Sequence, residues 1–175
     1  MEIALLGLRL VVGLGFAAHG AQKLFGAFGG HGIAGTAGFF EQIGLRPGKA
    51  HAWAAGSAEF FGGLLIALGL VTPFAAAALI AVMAAAVLTV HIPNGFFVTS
   101  NGYEYNLVMA AALFALAGIG AGPWSIDNAL ALDLAGTGWA LGALGVGMLG
   151  GLGAVLSGRL AGRRTPAAGR QPHAA

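Results

Sequence analysis

The sequence predicts an all-α fold: a polytopic membrane helix bundle with four spanning helices and a fifth after them. Three observations carry that expectation. Of the 175 residues, 58% are hydrophobic and only 8% charged, against about 25% charged in an ordinary soluble domain, so water would not solvate the surface. Apolar runs recur at close to the roughly 20 residues that cross a hydrocarbon core. The 32 glycines would weaken a soluble helix, but in lipid small residues let helix backbones approach closely.

The first run, residues 3–24, is long enough to span yet carries Arg9, His19 and Lys23. Its Met-Glu-Ile start lacks a basic n-region and a cleavage site, so it is expected to be an uncleaved span. A glycine-rich stretch, 26–38, leads to Phe39-Phe40-Glu41-Gln42, which suits a short segment in the interface. The second span is expected over 52–71 with Glu59 inside it, and Thr72-Pro73 marks a tight helical hairpin. The third, 74–92, ends at His91 before the stop signal Pro93-Asn94-Gly95. A polar connector precedes the fourth, 105–119, which closes on Gly120-Ala121-Gly122-Pro123. Trp124 favours the headgroup level. A fifth span is expected over 138–156, where Gly138/Gly142 and Gly147/Gly151 have the spacing that lets helices touch.

Charge sets the expected orientation. Four of the eight basic residues lie between Arg159 and Arg170, and Lys23, Arg46 and Lys49 fall between the first two spans. Five spans with the C-terminus in the cytoplasm satisfy the excess of cytoplasmic Lys and Arg. The basic tail is read as a juxtamembrane cluster on anionic lipid, and no nucleic-acid partner is expected. There is no cysteine, which excludes a disulfide, a thiolate metal site, a Cys-held iron-sulfur cluster and a thiol relay within the chain.

Charged groups inside spans cost roughly 2.5–3.5 kcal/mol at the bilayer centre and normally face the bundle interior with a partner. At about 100° per residue, Arg9, Phe16, His19 and Lys23 share one face of the first helix. Glu59, with Gly56, Gly62 and Gly63 around it, offers a bare surface on which a neighbouring helix could set a basic group. It reads either as a ligand-binding or proton-carrying carboxylate or as half of a structural ion pair, with Arg9 or Lys23; Arg9 and Glu59 are the leading pair. In five spans His19, Lys23, Glu59, His91, Glu104 and Tyr105, with Asn101 and Tyr103, gather toward the cytoplasmic side as ligand-binding or proton-relay candidates. The plainer reading is that polar residues gather at helix ends because water is there. His19 and His91 both sit near one boundary, with no His-Glu-x-x-His pattern, so neither haem nor metal is expected. No Walker or dinucleotide fingerprint is present.

The string Arg9…His19-Gly-Ala-Gln-Lys23-Leu-Phe-Gly26, followed by Ala58-Glu59-Phe-Phe-Gly-Gly63, Leu68-Gly-Leu-Val-Thr72, His91 with Asn94-Gly95-Phe96, Asn101-Gly-Tyr-Glu104-Tyr105-Asn106 and Gly120-Ala-Gly-Pro-Trp-Ser-Ile-Asp127, resembles the DoxX family of small bacterial membrane proteins. The resemblance runs over residues 5–127. It implies a four-helix membrane domain over 1–127, here followed by an additional glycine-rich helix (128–158) and a basic disordered cytoplasmic tail (159–175). It also implies a place in the inner (plasma) membrane and association with redox assemblies. Some members resemble the quinone-reducing subunit of thiosulfate:quinone oxidoreductases, and others are membrane partners of a superoxide dismutase and a sulfurtransferase. The expected role is therefore a membrane subunit of an oxidoreductase or oxidative-stress assembly. No covalent cofactor is expected; quinone is the expected small molecule, and a soluble redox enzyme or a second copy of the chain the expected partner. The competing expectation is a small-solute permease or a non-catalytic scaffold. The absence of cysteine argues against sulfur chemistry on this chain itself.

Overall fold

A computed structural model describes residues 2–164. The described chain is helical: α1 (Glu2–Phe25), α2 (Gly32–Gln42), α3 (Gly48–Leu68), α4 (Thr72–Ala86), α5 (Glu104–Ile119), the short α6 (Ile126–Ala129) and α7 (Thr137–Arg164). Three stretches are long and apolar enough to cross a membrane, Glu2–Phe25, Thr72–Asn94 and Thr137–Arg163, and Glu104–Ile119 is a shorter apolar helix. The outward faces are apolar: Val11, Phe61, Leu107, Val146 and Leu149 are all exposed. Patches of that extent mark contact with another phase. The chain is a multi-pass α-helical membrane protein.

The five long helices α1, α3, α4, α5 and α7 alternate in direction. One end of the bundle gathers the N-terminus, the α3–α4 turn and the α5–α7 loop. The other gathers α2, the α4–α5 connector and the end of α7, where Arg46 N–H donates to the Gly158 carbonyl at 3.3 Å. Lys23, Arg46, Lys49, Arg159 and Arg163 therefore share this second end, which is called the basic end below. The central helix is α4, whose Ala76, Leu79, Ile80 and Met83 pack with Phe16 of α1, Ile66 of α3, Leu113 and Leu116 of α5 and Ala143 of α7.

Missing side chains set the closest approaches. A Cβ on Gly13 would meet the Ala67 amide and the Gly63 carbonyl, and one on Gly63 would meet the Ala17 amide and the Gly13 carbonyl, so α1 and α3 touch backbone to backbone. On α7, Gly147 lies against Ile80 and Gly151 against the Ala81 carbonyl of α4. The expected pairing of Gly138 and Gly142 does not occur: nothing lies within 4 Å of either Cβ position, because that face of α7 is turned outward.

Two expected boundaries shift. The segment around Phe39 and Phe40 belongs to an eleven-residue helix, α2, which packs on α1 and α3. The expected disordered tail begins later than residue 159, because α7 continues through Arg164. Its end is held by packing, with Gly158 against His51 and Leu45 and Gly162 against Arg46. Residues 165–175, also assigned to that tail, lie outside the described residues.

Candidate functional site

Glu59 is 3% exposed, and Lys23 of α1 donates to its Oε2 at 2.5 Å. The expected Arg9–Glu59 pair is not formed. The helices are antiparallel, with Gly20 against Phe60 and Leu24 against Gly56, which sets Glu59 level with the last turns of α1. Arg9 lies fourteen residues earlier, about 21 Å along the axis. There its guanidinium donates to the carbonyls of Ala121, of Ala67 at 3.2 Å and of Trp124 at 2.8 Å.

Asp127 completes this far-end cluster. Its Oδ1 accepts Val71 N–H at 2.7 Å, and its Oδ2 accepts Thr72 N–H at 3.1 Å and Thr72 Oγ1–H at 2.8 Å. A carboxylate from the α5–α7 loop thus caps α4, satisfying N–H groups that a helix start leaves unpaired. Ser125 caps α6 by accepting Asn128 N–H at 3.1 Å and so positions Asp127. Arg9 and Asp127 form a structural clamp on the reversal at Gly69, where φ is 65°.

At the basic end, the Lys23–Glu59 pair borders a cavity of about 670 Å³, within the range of small-molecule sites. His51 and Ala58 of α3, Phe39 and Phe40 of α2, Ala81 and Ala85 of α4, and Ala154 of α7 line it, together with Thr89, His91 and Asn101. After Ala86 the helix widens into a π-helical turn, Val87–His91, of the sort often found at functional sites. His91 Nδ1 lies 2.8 Å from the Asn101 carbonyl. Only a donor satisfies that oxygen, which assigns the proton to Nδ1 and leaves Nε2 of the neutral ring as an acceptor. Glu59 Oε1 accepts no hydrogen bond among the described residues.

Of the candidates expected from sequence, Lys23, Glu59 and His91 meet at this cavity. His19 and Tyr105 do not line it. Both are exposed, their rings 6.4 Å apart between α1 and α5. Glu104 is elsewhere: its Oε2 accepts Val98 N–H at 2.9 Å, closing the α4–α5 connector on itself where that amide has no helical partner. Two polar residues of the lining lie outside the set expected from sequence, His51 and Thr89. The spacing His51, Ala55, Glu59 places all three on one face of α3, a signal that depends on the helix starting ahead of residue 52. Among the described residues no group of three or more His, Cys, Asp or Glu is arranged to hold a metal.

A helical membrane bundle with a buried ion pair beside an amphipathic cavity is the class that fold and site define. Residues 4–92 match the DoxX family, and the chain belongs to it; the matched segment contains Arg9, Lys23, Glu59 and His91. No curated protein and no solved structure matches the chain.

Proposed function

We propose that the chain is the membrane subunit of a redox assembly and binds a quinone at the basic end of the bundle. The observation that carries this reading is the cavity itself: an apolar chamber with Lys23, Glu59 and His91 in its lining. A quinone presents two carbonyl acceptors on an apolar ring. Lys23, which spends one of its three N–H donors on Glu59, can donate to one of them. Reduction to the quinol takes two electrons and two protons. The electrons come from a soluble redox partner, of the superoxide dismutase or sulfurtransferase type that the family resemblance implies. The protons come through Lys23, Glu59 and the His91 imidazole, whose two ring nitrogens can take up a proton on one side and pass it on from the other.

The basic residues favour a cytoplasmic position for this end, with the C-terminus on the same side and the partner docking there. A permease would need the cavity to continue through the bundle. Beyond Glu59 and Ala78 the interior is filled by Phe16, Ile66, Leu79 and Ile80, which favours a binding site over a path.

The test is binding of a quinone analogue to detergent-solubilised protein. His91→Ala and Glu59→Gln should weaken it about tenfold or more, and His19→Ala, outside the cavity, should leave it unchanged. No binding by the parent, or equal binding by all variants, would remove the quinone reading and put the scaffold reading ahead.

A further inference from the structure

The walls that α3, α4 and α7 give the cavity are built largely of small residues. Ala54 of α3, Ala78, Ala81 and Ala85 of α4, and Gly150 and Ala154 of α7 line it. Helices α3 and α7 each pack on α4 but meet one another chiefly at the basic end, where Gly158 lies against His51. Between them a strip of α4 is uncovered: Ala78, Ala54 and Gly150 line the cavity and are at the same time exposed. In a membrane bundle that flank faces hydrocarbon.

The α4 positions 78, 81, 85 and 89 recur at helical three- and four-residue spacing, so they form one row about 16 Å long. It runs from the interior of the bilayer to Thr89 and His91. His91 and Thr89 stand at the outer end of the row, and Glu59, level with Ala81 because Gly62 packs on Leu79, brings an Oε1 with no hydrogen-bond partner among the described residues to its inner half. An occupant that satisfies this carboxylate and also covers the exposed strip beside it has a polar head and an apolar chain. A soluble substrate would leave the alanine row facing water at a cost in apolar exposure.

We infer that the cavity is loaded sideways from the bilayer through the α3–α7 cleft, and that its ligand is a membrane-resident amphiphile whose chain leaves the cavity through that cleft. The head rests on the quinone reading above; the chain path does not. Helix α7 lies beyond the family-matched segment and supplies one wall of the cleft. In this chain it is therefore a determinant of which chains fit.

The chain has no cysteine, so single cysteines can carry spin labels without background. Labels at Ala78→Cys and Ala81→Cys, in protein reconstituted into liposomes, are compared for collision with oxygen, which partitions into lipid, and with a water-soluble nickel chelate. Leu149→Cys marks lipid and Lys49→Cys marks water. Oxygen-dominated collision at both cavity positions, reduced by a decyl-chain benzoquinone but not by the same ring without its chain, is the expected result. Nickel-dominated collision, or access by neither reagent, would overturn lateral loading and leave the quinone-head reading to its own binding assay. Oxygen-dominated collision that no quinone changes would support lateral loading while removing the quinone head. As a second variant, Ala78→Trp, at the exposed mouth of the cleft, should weaken the decyl-chain analogue about tenfold and leave the chainless ring unaffected. Equal affinity of the parent for both analogues would overturn the chain path.

Discussion

Lys23 and Glu59, 36 residues apart in sequence, meet at 2.5 Å across the α1–α3 interface, and the contact is possible because glycines on both helices bring the backbones together. Removing one partner leaves the other as an uncompensated charge in a low-dielectric site, a loss of about 3–5 kcal/mol. Lys23→Met and Glu59→Gln should each lower the thermal midpoint in detergent, and the double variant should recover most of the loss. Arg9→Met/Glu59→Gln should instead show the sum of its two single effects. Recovery in that second pair and not in the first would mean that the carboxylate answers to Arg9.

The Arg9–Asp127 clamp should be separable from the cavity. Asp127→Ala removes three hydrogen bonds from the start of α4 and should destabilise the fold by about 1–3 kcal/mol. Combined with Glu59→Gln, the losses should add to within about 0.5 kcal/mol, since the two sites share no partners. Analogue binding by folded Asp127→Ala should match the parent; a coupled loss of affinity would show that the two ends communicate.

Glycines that touch a neighbour and glycines that do not should respond oppositely to bulk. Gly63→Leu and Gly151→Leu force α1 from α3 and α7 from α4 and should cost about 1–3 kcal/mol or more. Gly138→Leu and Gly142→Leu point at open space and should stay within about 0.5 kcal/mol. Unfolding in a fixed detergent, followed by helical circular dichroism, distinguishes the two groups.

The alternation of the long helices places Pro47 and Arg164 at one end and Thr72 and Asp133 at the other. Reporter fusions at the first two positions should indicate the cytoplasm and those at the second two the outside. A C-terminal fusion outside the cell would break the five-span arrangement, leaving α7 as a segment that turns back.

Much of this architecture was legible because lipid imposes it. The apolar runs, the stop at Pro93 and the bare surface around Glu59 all follow from satisfying backbone and charge where no water is present. The partner of Glu59 was not legible. Arg9 and Lys23 share a face of α1, and rotation alone cannot distinguish them; depth along the axis does, and it is fixed by which glycine meets which backbone. Glu104 misled because a residue at a helix start can serve the chain's own turn as readily as a ligand. Asp127 and His51 are not legible for related reasons, one acting on a helix far from it in sequence and the other standing just ahead of the apolar run at 52–71, in a turn of α3 that the run does not reveal.

The π-helical turn at Val87–His91 fits an extra residue into the rotation of the helix it continues. In an unbroken α-helix His91 would stand about 200° around the axis from Thr89, away from the wall that carries Ala78, Ala81 and Ala85. Here both residues border the same cavity, Thr89 continuing the alanine row and His91 standing at the last step of the π-helical turn. Spacing in the chain is therefore a tuning variable of its own: deleting Leu88 would take about 100° of rotation out of everything downstream, turning His91 out of the cavity and carrying the Asn101 contact with it, with every side chain of the site still present.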